Sequence, residues 1–300
     1  MKPIKRVLLV GGTHGNEWTG IYLVKKFDRS PDWIQRSTVR CVTLLANPQA
    51  YALGKRYVDT DLNRCFRQQD LQDPTLVSYE AQRAKEIHCT FGPGGSQSVD
   101  FVIDLHSTTS CMGLTVIPSS SHWFNLQLAA YLTARPRVHV LYSPHRSQDS
   151  PYLGAIAPLG CTIEVGAVAQ NILDAGLFRQ TELMIMAILD YIEAYNQGQM
   201  QLANQRLISY QTFDSLDYPR NGKGELLGMV HPERQGQDYQ PLNPGDPTFL
   251  TFDGHTLVYE GATTVYPVFI NEAAYYEKQV AMSLTHRVSL ELPTSDLKQR

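Results

Sequence analysis

The turn Gly11-Gly12-Thr13-His14-Gly15-Asn16-Glu17 sets an imidazole and a carboxylate three residues apart, directly after the apolar run 6–10. Two such groups on a backbone entering a helix can reach one cation together. A catalytic metal site needs three protein ligands and an open position. The third candidate is His106, which closes a second apolar run, 100–105. His-x-x-Glu followed by a distant histidine after a buried strand is a hydrolytic zinc pattern of the two-histidine, one-glutamate kind. The short motif also arises by chance, and a glycine-rich turn has a competing use as a phosphate cradle. That use is disfavoured here, because neither the Lys-Ser/Thr ending of a P-loop nor the Gly-x-Gly-x-x-Gly spacing is present.

Two further segments add chemistry. Arg56-Tyr57-Val58-Asp59-Thr60-Asp61-Leu62-Asn63-Arg64 concentrates charge in what is expected to be a loop. Alone it reads as a solvated face with local ion pairs. In a zinc hydrolase Arg64 can grip a carboxylate with two parallel hydrogen bonds, Asn63 can add a donor, and Arg56 can meet the oxyanion forming on an amide carbonyl. Cys161-Thr162-Ile163-Glu164-Val165-Gly166 places one carboxylate inside an apolar strand. A buried glutamate is costly unless paired, so Glu164 is either tied to a neighbouring cation or works as a general base beside a metal-activated water.

These residues need a scaffold that brings them together. Short apolar, β-branched runs alternate with helical patterns through the first two-thirds of the chain, the pattern of a mostly parallel sheet flanked by helices. The expected strands lie near 4–10, 39–46, 99–105, 114–118, 138–142 and 161–165; the expected helices cover 18–28, 78–91, 123–134 and 175–197. The candidates His14, Glu17, His106 and Glu164 then fall at the carboxyl ends of strands, where open α/β sheets keep their ligand crevice. From about residue 205 Pro-Gly turns separate short β-rich runs, among them 248–252 and 264–270. An α/β catalytic domain, 1–205, followed by a smaller β-rich domain, 206–300, is the expected organisation.

Composition bounds the function classes. The chain has 300 residues, 43% hydrophobic and 18% charged, and a net charge of −3, which disfavours a nucleic-acid partner. The five cysteines are scattered and form no Cys-x-x-Cys pair, as in a reducing compartment. The opening residues run straight into a strand without a signal-peptide pattern, and no apolar stretch is long enough to span a bilayer. A cytoplasmic protein without membrane partners is expected.

Taken together, the motifs resemble the aspartoacylase and succinylglutamate desuccinylase family, zinc enzymes on a carboxypeptidase-like fold. The resemblance runs through 11–17, 56–66, 104–110, 163–166, Pro244-Gly245-Asp246-Pro247 and Asn271-Glu272-Ala273-Ala274-Tyr275-Tyr276-Glu277-Lys278, and the last two segments are similar to the aspartoacylase branch. It implies one zinc per subunit on His14, Glu17 and His106, Glu164 as the catalytic carboxylate and Arg56 as the group polarising the scissile carbonyl. It further implies Asn63 and Arg64 on the substrate α-carboxylate, Tyr275 as a substrate contact from the second domain, and Asp61 as a group orienting a metal ligand or forming a loop ion pair.

The pattern departs from the family at the reader of the substrate side chain. A tyrosine and an arginine expected upstream of Glu164 are Ser150 and Gly154 in an ungapped count; Tyr152, Arg146 and Lys278 are the candidate substitutes. The expected function is hydrolysis of a small N-acyl-L-amino acid, N-acetyl-L-aspartate first. The alternatives are an aminoacylase for aromatic or neutral N-acyl amino acids, a carboxypeptidase, and a non-catalytic binding protein on the same fold. A homo-oligomer is left open.

Overall fold

The computed structural model describes residues 2–143, 149–202 and 206–292. In chain order the elements are β1 (Arg6–Gly11), α1 (Trp18–Arg29), β2 (Arg40–Leu45), α2 (Pro48–Ala52), α3 (Gln68–Gln72), α4 (Tyr79–Phe91), β3 (Phe101–Ser107), β4 (Gly113–Pro118), α5 (Trp123–Thr133), β5 (Val138–Tyr142), β6 (Leu159–Gly166) and α6 (Ala175–Asn196). They are followed by β7 (Leu207–Leu216), β8 (Gly228–Val230), β9 (Pro247–Thr251), β10 (Thr256–Val258) and β11 (Met282–Leu290).

Eight strands form one sheet in the order β11-β7-β5-β4-β6-β3-β1-β2. Its centre is parallel apart from the antiparallel β4–β6 pair, and the β7–β11 pair at one edge is also antiparallel. Alternation along β1 sends Val7 and Leu9 into a core with α1, α5 and α6, and Leu8 and Val10 into a second core with α4. Helices on both faces explain why the strands read as continuous apolar runs. Fully burying a side chain such as Phe27 contributes about 1.5–3 kcal/mol.

The long helix α6 starts where Asp174 accepts a hydrogen bond from the Leu177 N–H (2.7 Å). It stops at Gly198, whose φ of +70° continues no right-handed helix. The expected mixed α/β sheet with a small C-terminal β unit is thus observed, with two differences. Strands β7 and β11 extend the main sheet at its β5 edge, and the small unit is the antiparallel sheet β10-β9-β8. The β-rich run 264–270 makes only isolated bridges, Val265 to Leu242 and Val268 to Ser283. Pro267 lacks an N–H for a ladder, and Phe269 and Asn271 at φ of 54° and 57° turn the chain away from extension.

A buried apolar junction of Met112, Ile117, Leu141, Tyr210, Tyr239, Val268 and Phe269 joins these later residues to the end of the sheet, with Tyr275 packed against it. That junction brings a C-terminal tyrosine to the carboxyl ends of the central strands.

Candidate metal centre and substrate cleft

The loop after β1 is built for close approach. Gly12 has φ of +71°, and a Cβ on Gly15 would lie 2.2 Å from the backbone of Ala50 and Tyr51. With no side chain there, the Gly15 N–H reaches the Arg56 carbonyl (3.0 Å). His14 is thereby fixed between β1 and the loop that carries Arg56 and Asp61.

His14, Glu17 and His106 converge as one buried cluster whose ligand atoms lie within 4.8 Å of one another. Glu17 Oε1 is 2.7 Å from His14 Nδ1, Glu17 Oε2 is 3.0 Å from His106 Nδ1, and the two Nδ1 atoms are 3.2 Å apart. The far nitrogen of each ring faces a carboxylate: His14 Nε2 meets Asp61 Oδ1 at 2.9 Å, and His106 Nε2 meets Asp104 Oδ2 at 2.8 Å. Those acceptors require an N–H at each Nε2, which leaves each Nδ1 of a neutral ring as an acceptor. Three acceptor groups facing one another suit a cation, and two imidazoles with a carboxylate are a zinc donor set. The residues present fit the metal.

The remaining contacts hold the cluster in shape. Glu17 accepts from Arg56 Nη1 (2.9 Å) at Oε1 and from the Ser107 N–H (3.1 Å) at Oε2, so each carboxylate oxygen has one N–H donor and also faces an imidazole. Burial alone would raise its pKa, but the charge and hydrogen bonds of the two imidazoles in their protonated form hold it well below the usual carboxylate range. Asp61 follows the same logic: burial is outweighed by the hydrogen bond and charge of His14 and by Arg56, and its carboxyl is depressed.

Glu164 stands across the β3–β6 ladder from His106 and across the β4–β6 ladder from Thr115. Burial pushes its carboxyl up to about 8; His106 pulls it back, Glu17 and Glu272 push it further, and Arg56 opposes them. A cleft of about 700 Å³ opens above it, lined among others by His14, Arg56, Asn63, Arg64, His106, Tyr275 and Lys278.

Within the cleft Asn63 Oδ1 accepts from the Leu153 N–H (2.8 Å), which leaves the amide nitrogen as the donor end. Arg64 donates from Nη1 to the Asn63 carbonyl (2.7 Å) and lies 4.8 Å from the centroid of the Tyr152 ring. Lys278 Nζ is 3.5 Å from Asp61 Oδ2 and 5.2 Å from the centre of the Tyr275 ring. Ser150 and Tyr152 line the cleft. Gly154 sits in the 3₁₀ turn Leu153–Ile156, where a Cβ would meet no heavy atom within 4 Å. Arg146 lies outside the described residues.

Two carboxylates of the site carry no functional expectation from the sequence. Asp104 orients His106 and accepts from Thr13 Oγ1 (2.8 Å). The signal was local, since residues two apart on a strand share a face. Glu272 accepts from Thr108 Oγ1, from the Thr109 N–H (2.8 Å) and from Thr109 Oγ1 (3.0 Å), and so moors the turn Ala273–Lys278 that presents Tyr275.

The fold and the site define a mixed α/β protein with a two-histidine, one-glutamate cluster at the carboxyl ends of its central strands. Comparison with known proteins gives the family. Residues 3–192 match the succinylglutamate desuccinylase/aspartoacylase catalytic domain, and residues 205–287 match the AstE/AspA barrel-sandwich hybrid domain. A probable aspartoacylase of Nostoc sp. (strain PCC 7120 / SAG 25.82 / UTEX 2576) is 51% identical, covering 96% of this chain and 98% of the relative. The N-acyl-aromatic-L-amino acid amidohydrolase (carboxylate-forming) of Homo sapiens is 42% identical, covering 97% and 93%. The crystal structure of murine aminoacylase 3 superposes with a TM-score of 0.92 at 39% identity, covering 98% of each chain. The chain belongs to the succinylglutamate desuccinylase/aspartoacylase family.

Proposed function

We propose that the chain is a zinc-dependent amidohydrolase that splits an N-acyl-L-amino acid, N-acetyl-L-aspartate first, into a carboxylate and the free amino acid. The reading rests on one juxtaposition: Glu164 paired across the sheet with His106 of the His14–Glu17–His106 cluster, beneath a cleft that holds Arg56 and Arg64. We assign one zinc per subunit to His14, Glu17 and His106. Zinc bound there supplies Lewis acidity, polarising a carbonyl and making water a stronger acid.

The side chains divide the remaining work. Glu164 takes the proton of the attacking water on its carboxylate and returns it to the leaving nitrogen. Arg56 has donors beyond the one spent on Glu17, and these face the charge that gathers on the carbonyl oxygen. Arg64 and the Asn63 amide nitrogen hold the α-carboxylate, and Tyr275 adds a hydroxyl that burial keeps protonated. The division of the chain into a catalytic part, 1–205, and a C-terminal part, 206–300, is part of this reading, with Tyr275 lent by the second. All five cysteines are free, which supports a reducing, cytoplasmic setting. Among the described residues no helix is long and apolar enough to cross a membrane.

Lys278 supports an acidic substrate side chain, because it supplies a cation in the same cleft as Arg64. A second reading, an aromatic substrate side chain, is favoured by Leu141, Tyr142 and Phe269 in the lining. Bound zinc should be measured together with kcat/KM for N-acetyl-L-aspartate, N-acetyl-L-asparagine and N-acetyl-L-phenylalanine. The first reading expects aspartate to lead in the wild type and to lose its advantage over asparagine in Lys278→Met. Leadership by phenylalanine overturns it in favour of the second. Aspartate preference that survives in Lys278→Met moves the side-chain reader elsewhere, with Arg146 the next to test. No turnover of any acyl amino acid by the zinc-loaded protein sinks the enzyme reading.

Arg64→Lys tests the α-carboxylate grip separately. Lysine keeps the charge but loses the planar fork, so kcat/KM should fall about 10-fold or more for an N-acetyl α-acid and far less for its α-amide. Equal losses on the acid and the amide would show that Arg64 does not hold this group.

A further inference from the structure

Glu80 is fully buried in the first turn of α4, away from the cleft, and no step above uses it. Its carboxylate is saturated. Oε1 accepts from Asn47 Nδ2 (3.0 Å) and the Val58 N–H (2.6 Å), and Oε2 accepts from the N–H groups of Asp59 (3.0 Å) and Thr60 (3.1 Å). All four donors belong to the 47–60 stretch and none to α4. The helix start is served by other groups: Ser78 Oγ accepts from the Ala81 N–H, and Asp59 Oδ2 accepts from the Tyr79 N–H (2.8 Å).

Both segments that Glu80 holds, Asn47 and the 58–60 backbone, lead to the His14–Glu17–His106 cluster. Asn47 donates its backbone N–H to the Gly12 carbonyl (2.9 Å) and accepts from the Ala50 N–H (3.1 Å), fixing the segment against which Gly15 packs. The 58–60 backbone runs into Asp61, which holds His14 Nε2 at 2.9 Å, and its other end carries Arg56, bonded to Glu17. One buried carboxylate therefore keys the two supports of the His14 ring to a single point.

We propose that Glu80 is a positioning residue of the metal centre: through Asn47 and the 58–60 backbone it fixes Asp61 and His14 in the arrangement that binds zinc. The inference rests on the zinc reading above. Glutamine has the same shape, but its amide nitrogen would face two donors in place of an acceptor, so two of the four bonds are lost. Loosening the group that orients a metal-ligating histidine weakens metal binding by about 10–100-fold.

Zinc affinity is read by competition with a chromogenic chelator in wild type, Glu80→Gln and Ser78→Ala. Ser78→Ala removes the α4 cap and destabilises the same helix without touching the 58–60 backbone. Glu80→Gln is expected to bind zinc about tenfold more weakly or worse, and Ser78→Ala to bind as wild type does, when the two are compared well below their melting temperatures. Equal affinity in Glu80→Gln and wild type overturns the proposal, as does an equal loss in Ser78→Ala. A wild type that binds no zinc would instead remove the zinc reading, and this inference with it. Hydrogen exchange on the wild type decides the matter even if Glu80→Gln does not fold. Coupling is reciprocal, so zinc must slow exchange at the Val58, Asp59 and Thr60 amides more than in the middle of α6. No such difference also overturns the proposal.

Discussion

A Glu164→Gln variant is expected to keep its zinc and to lose at least about 10²-fold in turnover, the lower range for positioned acid–base catalysis. Glutamine is nearly the same size but cannot accept and return a proton. Glu164 is not one of the three clustered candidate ligands. Its backbone is clamped between β3 and β4 in the centre of the sheet, so the change should leave the fold in place. It also removes a carboxyl that burial, Glu17 and Glu272 all disfavour as an anion, and a fall in melting temperature is therefore not expected. KM should change little, because the proposed α-carboxylate contacts, Arg64 and Asn63, are untouched. The measurement is kcat and zinc content on the same preparation. Near-normal turnover at full zinc occupancy would take Glu164 out of the chemistry.

The central scaffold was legible because its strands are buried on both faces. The expected strands and helices of the first two-thirds agree with the observed elements to within a few residues at each end. Strand β7 was harder to see: most of its outer half is exposed, and only Leu141–Tyr210 and Tyr142–Gln211 pair it with β5. Such a strand has no continuous apolar run to announce it. Among the site residues, the sequence signals lay where a motif is local. His14 and Glu17 share one turn, and the convergence of His106 follows from the position of both loops at the carboxyl ends of adjacent strands. Glu272 gave no such signal. Its partners Thr108 and Thr109 are 164 and 163 residues away, and only the folded junction around Phe269 brings them together. Arg56 stood out by its charged run, but its hydrogen bond to Glu17 spans 39 residues, and the cation it places beside that candidate ligand is visible only in the fold.

The second large effect separates ligands from the groups that orient them. His14→Ala, Glu17→Ala and His106→Ala are each expected to abolish stoichiometric zinc and activity together, because two remaining ligands cannot sustain an open catalytic site. Asp104→Asn and Asp61→Asn leave all three ligand atoms in place. They weaken only the carboxylate that fixes each ring's proton at Nε2 and its lone pair at Nδ1. For them the expected loss is about 10–100-fold in zinc affinity, recoverable by adding zinc. Metal analysis after dialysis, followed by turnover across a zinc titration, distinguishes the two classes. Activity of the alanine variants should stay at background at every zinc concentration, whereas activity of the asparagine variants should rise to a plateau at higher zinc than the wild type needs. If His106→Ala kept tightly bound zinc and its turnover, the two Nδ1 atoms facing each other at 3.2 Å would need another explanation, and the metal would have to be sought away from the β1–β3 strand ends.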